Sequence, residues 1–189
     1  SKNKAPNKDS NDKGIVDVTA PSVRPDDFSM NRSVDNLVAL NEIMTKKFQN
    51  TKQQGDEFEI FCAYLLEKEG YIIESVEGGA RDRGTDIRAE TSGSISTKIA
   101  IQCKHYPQKT VGDEVIRVSM GSRELKDEKF DKVAVMTSGT FTKPAIKTAT
   151  ENNVELINYN DLYEFSQKHL NGITLDSIIK YGSRWISTK

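Results

Sequence analysis

The chain has 189 residues, 35% hydrophobic and 29% charged, and its 27 Lys and Arg nearly balance 28 Asp and Glu, giving a formal net charge of -1. That length suits one domain with a substantial core plus extensions, and the balanced charge excludes a global attraction to polyanions, so any nucleic-acid affinity has to come from a local patch. No apolar run approaches the roughly 20 residues that span a bilayer, so no membrane contact is expected.

Residues 1–30 are dominated by Lys, Asn, Asp, Ser and Pro and read as a polar arm, with the apolar island IVDV at 15–18 suited to adding a strand to a sheet edge. Residues 31–54 read as a helix and linker. Ser33 is placed to cap a helix on which Val34, Leu37, Val38, Asn41 and Met44 follow the helical spacing, ending near Phe48. The pattern becomes dense in GDEFEIFCAYLLEKEG, residues 55–70, where Phe58, Phe61, Cys62, Leu65 and Leu66 recur at i, i+3, i+4, i+7 and i+8. Asp56 is its candidate cap and Gly70 its stop. YIIESV then reads as a strand, GGARDRG as a turn, TDIRAE as a second strand, TSGSIST as a loop and KIAIQCKHY as the third strand of a meander.

Residues 113–127 predict a helix with Val115, Val118, Ser119, Ser122 and Leu125 on one face. KVAVMTS follows as a buried strand, TKPAIKTATEN as a helix with Pro144 in its first turn, VELINY as a strand and DLYEFSQKHL as a helix. The order α-β-β-β-α-β-α-β-α predicts an α/β domain over 55–170, a mixed β-sheet flanked by helices. Residues 171–189 form a C-terminal extension expected to pack back through Ile178, Ile179 and Trp185. The two cysteines, Cys62 and Cys103, fall on a helix face and a strand. That predicts buried free thiols in a reducing, intracellular compartment, the cytoplasm, and argues against a disulfide framework or a zinc site.

The third strand carries an amide and an ammonium near its centre. Alternation puts Ile99, Ile101 and Cys103 on one face and Ala100, Gln102 and Lys104 on the other. If TDIRAE pairs with this strand through the loop at 91–97, Asp86 comes next to Gln102 and Lys104. A carboxylate, an amide oxygen and a backbone carbonyl, that of Cys103, then converge, which is the oxygen donor set that Mg2+ takes. A lysine beside such an ion can orient a water or offset charge on a phosphoryl group, the chemistry needed to cut a phosphodiester. The plainer alternative is that Gln102 and Lys104 are the polar face of an edge strand and Asp82 and Asp86 turn residues. The apolar setting IAIQC argues instead for a central strand, where a lysine is unexpected.

Together the residues resemble the Mrr-type branch of the PD-(D/E)xK restriction-endonuclease-like superfamily. A helical G-x-x-F-E, a D-x-G-x-D turn and a Q-x-K strand recur there in this order. They are matched by Gly55, Phe58 and Glu59, by Asp82, Gly84 and Asp86, and by Gln102 and Lys104. The likeness runs from about residue 55 to 165 and includes the later β-α-β segment. It implies a restriction-endonuclease-like fold and a metal-dependent DNA endonuclease, using Mg2+ or Mn2+ and no small-molecule cofactor, of a restriction or defence type. By the resemblance Asp86 is the metal-binding aspartate, Gln102 replaces the usual second acidic ligand, Lys104 is the motif lysine and Glu59 the helical glutamate near the site.

Two residues have competing readings. Asp56-x-x-Glu59 also resembles a capping box in which Glu59 serves its own helix. His105 shares the parity of Ile101 and Cys103 and so reads as a packed histidine, while Tyr106 shares that of Gln102 and Lys104. For double-stranded DNA the candidate contacts are Arg81 and Arg83 beside the site-forming turn and Lys143 at the start of a helix after the loop SGTFT. Cutting both strands calls for two sites and hence a homodimer. The alternative function is a non-catalytic nucleic-acid-binding or scaffold module that keeps the nuclease fold, suggested by the neutral charge, the missing second acidic ligand and the long N-terminal extension.

Overall fold

The computed structural model describes residues 36–77, 85–125 and 128–186. Helix α1 spans Val38–Thr45 and α2 Thr51–Lys68, followed by strands β1 (Tyr71–Val76), β2 (Ile87–Thr91) and β3 (Lys98–Lys104). After the short β4 (Thr110–Val111) come α3 (Asp113–Met120), a 3-10 turn at Gly121–Arg123, and the two-residue strands β5 (Glu124–Leu125) and β6 (Glu128–Lys129). The chain continues through β7 (Lys132–Thr137), β8 (Thr140–Phe141), α4 (Lys143–Glu151), β9 (Val154–Ile157), α5 (Tyr159–His169) and α6 (Leu175–Gly182).

The main sheet has five strands in the order β1-β2-β3-β7-β9. The first three form the expected antiparallel meander, and β7 and β9 join β3 in parallel through the helical crossovers α3 and α4. Strand β3 is therefore central, flanked by β2 and β7, and residues 99–103 are all buried although they include Gln102. Ile99, Ile101 and Cys103 join the core beneath α2, while Ala100 joins a second core with Val133, Val135 and residues of α3 and α4. The two faces of one strand thus feed two helical layers, as the alternation predicts.

Helix α2 is the spine of the first layer. Nine consecutive residues, Phe58 to Leu66, are buried, more than a one-sided amphipathic helix would cover. The extension supplies the missing cover, since α6 and the turn after it return Leu175, Ile178 and Trp185 to the same core, with Ile179 partly buried against it. Burying side chains of this size contributes about 1.5–3 kcal/mol each, so the tail is part of the domain.

Three helices differ from their expected bounds. Helix α2 begins at Thr51, with the side chain of Asn50 accepting from the Gln53 N–H at 2.9 Å. Asp56 lies inside the helix and pairs with Lys52. The capping-box reading of Glu59 falls with it, because Glu59 is more than two turns from the helix start. The helix predicted over 113–127 ends at Met120. Beyond it Arg123 donates to the carbonyls of Asn152 at 2.6 Å and Asn153 at 2.8 Å, tying the chain into a turn and the β5–β6 hairpin. Helix α1 starts at Val38 and ends at Thr45, and the proposed Ser33 cap and the island at 15–18 lie outside the described residues.

Candidate active site

The register of β2 on β3 builds the site. Ile87 pairs with Ile101 and Arg88 with Ala100, so the residue before β2, Asp86, comes opposite Gln102. Its N–H donates to the carbonyl of Ile101 at 2.8 Å, and its own carbonyl accepts from the Glu77 N–H at 2.8 Å, anchoring it on both sides. One oxygen of its carboxylate, Oδ2, accepts from the backbone N–H of Cys103 at 2.7 Å and from the side-chain Nε2 of Gln102. Cys103 lies two positions beyond Ile101, the last rung of the β2 ladder. Its N–H and C=O therefore point along the edge that β2 has left, towards Asp86.

Lys104 closes β3. Its carbonyl accepts from the Thr137 hydroxyl at 2.8 Å and from the Ser138 N–H at 3.3 Å, fixing the backbone against the end of β7. Its side chain leaves on the face shared with Gln102.

Helix α2 brings Glu59 over this end of the sheet. Phe58 packs on His105 with ring centroids 4.8 Å apart, and the thiols of Cys62 and Cys103 interact. Glu59, between Phe58 and Cys62, is only 8% exposed, and its Oε2 has no hydrogen-bond partner among the described residues. Burial first, then the charges of Asp86 and Asp56, push its carboxyl up to about 8 against the opposing pull of Lys104 and Lys52. Glu59 is thus within electrostatic reach of both Asp86 and Lys104. The hydroxyls of Thr85 and Ser138, which the sequence reading did not single out, are likewise buried without a partner among the described residues. They flank Asp86 in sequence and Lys104 in space. Side chains left short of partners mark this corner as suited to a polar ligand.

The donor set fits a hard divalent cation. Asp86 and Glu59 offer carboxylate oxygens, Gln102 a neutral amide oxygen and Cys103 a carbonyl. The thiols do not compete, because burial and Cys62 push that of Cys103 well up. Among the described residues no cluster of three or more His, Cys, Asp or Glu is arranged to hold a metal, so the set rests on two carboxylates plus neutral oxygens. Gln102 turns its amide nitrogen to Asp86, with its oxygen on the other arm of the same fork.

The sequence pattern of the Mrr-type catalytic domain, described as restriction endonuclease, matches residues 51–166. The chain belongs to the Mrr-type restriction endonuclease family. Its match begins at the first residue of α2 and takes in Glu59, Asp86, Gln102 and Lys104. Among solved structures the fold resembles the MspJI restriction endonuclease in complex with a 27-mer oligonucleotide. That match has 15% identity and a TM-score of 0.56, covering 85% of this chain and 41% of that one. It also resembles the DNA modification-dependent restriction endonuclease AspBHI, at 16% identity and a TM-score of 0.54, covering 82% of this chain and 42% of that one. At such identities the likeness is one of fold, and the chain spans about two fifths of either structure's length. A comparison with curated proteins found no match.

The remaining candidates of this Mrr-type domain divide. Arg81, Asp82 and Arg83 lie outside the described residues. Lys143 is exposed at the start of α4, just after Thr142, whose hydroxyl accepts from the Ala145 N–H at 3.2 Å as the cap. Arg88, near the same turn in sequence, is held by Glu77 and Glu128. His105 is packed between Phe48 and Phe58, as its parity predicts. Burial lowers its pKa to about 4, so it is neutral at physiological pH. Among the described residues no helix is long and apolar enough to cross a membrane.

Proposed function

We propose that this domain hydrolyses phosphodiester bonds of double-stranded DNA with Mg2+ or Mn2+, as a restriction enzyme of the defence type. The observation that carries the reading is the convergence of Asp86, Gln102, Lys104 and Glu59 at the end of a central strand, in a chain of the Mrr-type family. Asp86, the amide oxygen of Gln102 and the carbonyl of Cys103 hold the cation, which supplies Lewis-acid neutralisation of charge at the scissile phosphate. The Cys103 N–H keeps the Asp86 carboxylate in place, as an outer-shell partner does. Lys104 sets its ammonium against a phosphate oxygen and offsets the charge that develops as water adds to phosphorus and the P–O bond breaks. Glu59 holds a proton on its buried carboxyl near neutral pH, where a group with its pKa can take up or release one as the site fills.

Cutting both strands of a duplex calls for two such sites, so the active species is a homodimer on DNA. One observation favours the scaffold alternative: Asp86 already spends one carboxylate oxygen on Gln102 and Cys103, and Gln102 adds no charge for a cation. The deciding experiment incubates the purified chain with supercoiled plasmid, methylated and unmethylated, in Mg2+, in Mn2+ and in EDTA. Nicked or linear product that requires the metal supports the endonuclease. DNA binding without cleavage under every condition would overturn it in favour of the scaffold.

A further inference from the structure

Lys104, Lys109 and Lys143 gather where β3 and β7 end. Among the described residues no carboxylate lies within ion-pair distance of any of them. Among the described residues, two cations further back on the sheet are neutralised from within: Arg88 on β2 by Glu77 and, at 3.0 Å, by Glu128, and Lys98 at the start of β3 by Glu128 at 3.6 Å. An anionic duplex is therefore favoured over the β3–β7 end.

Between Lys104 and Lys109 the chain makes a turn at 106–109, closed by the Lys109 N–H donating to the Tyr106 carbonyl at 3.1 Å. Gln108 sits there at φ 65°, a left-handed conformation that a residue with a side chain adopts at a cost. The turn is clamped from the β7 side. The Lys109 carbonyl accepts from the Thr140 N–H at 3.3 Å, and β4 pairs with β8 immediately beyond. Gly139 lies so close that a Cβ there would collide with the Lys109 carbonyl oxygen and come within 2.5 Å of that of Tyr106. What the clamp holds faces outward: Tyr106 is 38% exposed, and Gln108 and Lys109 are exposed. A strained backbone that presents a ring, an amide and an ammonium to solvent is built for a ligand and contributes little to the core.

We propose that the turn at 106–109 is a duplex-DNA contact of this domain, with Lys109 and Tyr106 gripping the backbone beside the scissile phosphate and Gln108 reading a base edge. The substrate class rests on the endonuclease reading. The position follows from the chain, since Tyr106 is two residues past Lys104, the last residue of β3, and so no more than roughly 7 Å from it along the backbone. A glutamine amide is a suitable reader because it can donate and accept together at a base edge, and lysine and tyrosine suit phosphates and sugars.

The test measures binding of the full chain to a fluorescent 30-base-pair duplex in Ca2+, with cleavage-site sequencing in Mg2+, for Tyr106→Ala, Gln108→Gly and Lys109→Ala. Glycine relieves the φ of 65°, so Gln108→Gly keeps the fold and removes only the amide. Each variant is expected to weaken binding by about fivefold or more, and Gln108→Gly to flatten the base preference beside the cut. Variants that melt, bind and cut like the parent chain would overturn the proposal, as would a parent that does not bind DNA at all. If the parent binds without cutting and the variants bind more weakly, the surface stands and the endonuclease reading falls.

Discussion

Glu59→Gln tests the electrostatics of the site without DNA. In the folded chain burial and Asp86 raise the Glu59 carboxyl from its ordinary 4.5 to about 8, so between those values the folded state keeps a proton that the unfolded state has released. Stability from this group is therefore fully present below pH 4.5 and is lost as pH rises towards 8. A shift of that size corresponds to at most about 5 kcal/mol at 1.36 kcal/mol per pH unit, and relaxation and water entry reduce it to about 2–3 kcal/mol. Glutamine keeps the shape and has no proton to lose. In metal-free buffer Glu59→Gln is expected to melt close to the parent at pH 5 and about 5–10 °C higher at pH 8. The assay is thermal unfolding from pH 5 to 9 in EDTA. Parallel curves for the two proteins would refute the claim that burial keeps the Glu59 carboxyl protonated up to about pH 8. A cation that Glu59 helps to hold would favour its ionised form, so adding Mg2+ is expected to raise the parent's melting temperature at pH 8 and to narrow the gap.

The histidine behaves in the opposite sense. His105 is depressed to about 4, so its stability is present above pH 6.5 and lost as pH falls towards 4. The sequence has two histidines, and in a proton NMR titration His105 is expected to show no midpoint above pH 5; a midpoint near 6.5 would contradict its packing between Phe48 and Phe58. Gly139→Ala should cost about 1–3 kcal/mol, since the added Cβ meets two backbone carbonyls that cannot rotate away. Melting unchanged from the parent would show that the 106–109 turn is not clamped. Asn158 caps α5 in a reciprocal box with Asp161. Asn158→Ala is expected to lower stability by about 1 kcal/mol, seen as a melting shift of about 2–4 °C.

The register that makes the site was legible because it depends on local rules. The loop at 91–97 joins two alternating strands, and alternation alone places Asp86 beside Gln102 and sends His105 into the core. The burial of Glu59 was not legible, since it depends on how α2 packs over the end of the sheet near Asp86 and Lys104, which no local pattern reveals. Only the family motif pointed to it. The start of α2 was misplaced because TKQQGDE, its first two turns, carries no apolar period, so the helix was read from Asp56, the cap-type residue nearest the apolar run. The end of α3 was misplaced because Arg123 bonds to the carbonyls of Asn152 and Asn153, some 30 residues away, a contact that no local pattern reveals. Thr85 and Ser138 gave no signal at all, as a small hydroxyl residue next to a strand end is ordinary in sequence and conspicuous only once it is buried without a partner.

The most direct test of the account is the rate of plasmid cleavage in Mg2+ by Asp86→Asn and Lys104→Ala beside the parent chain, with each protein first shown to be folded by its melting curve. The geometry predicts that both lose about a hundredfold or more, the scale set by removing a charge-stabilising group from a preorganised site. Folded variants that cleave at the parent's rate would place the chemistry elsewhere and contradict the assignment of this corner of the sheet as the active site.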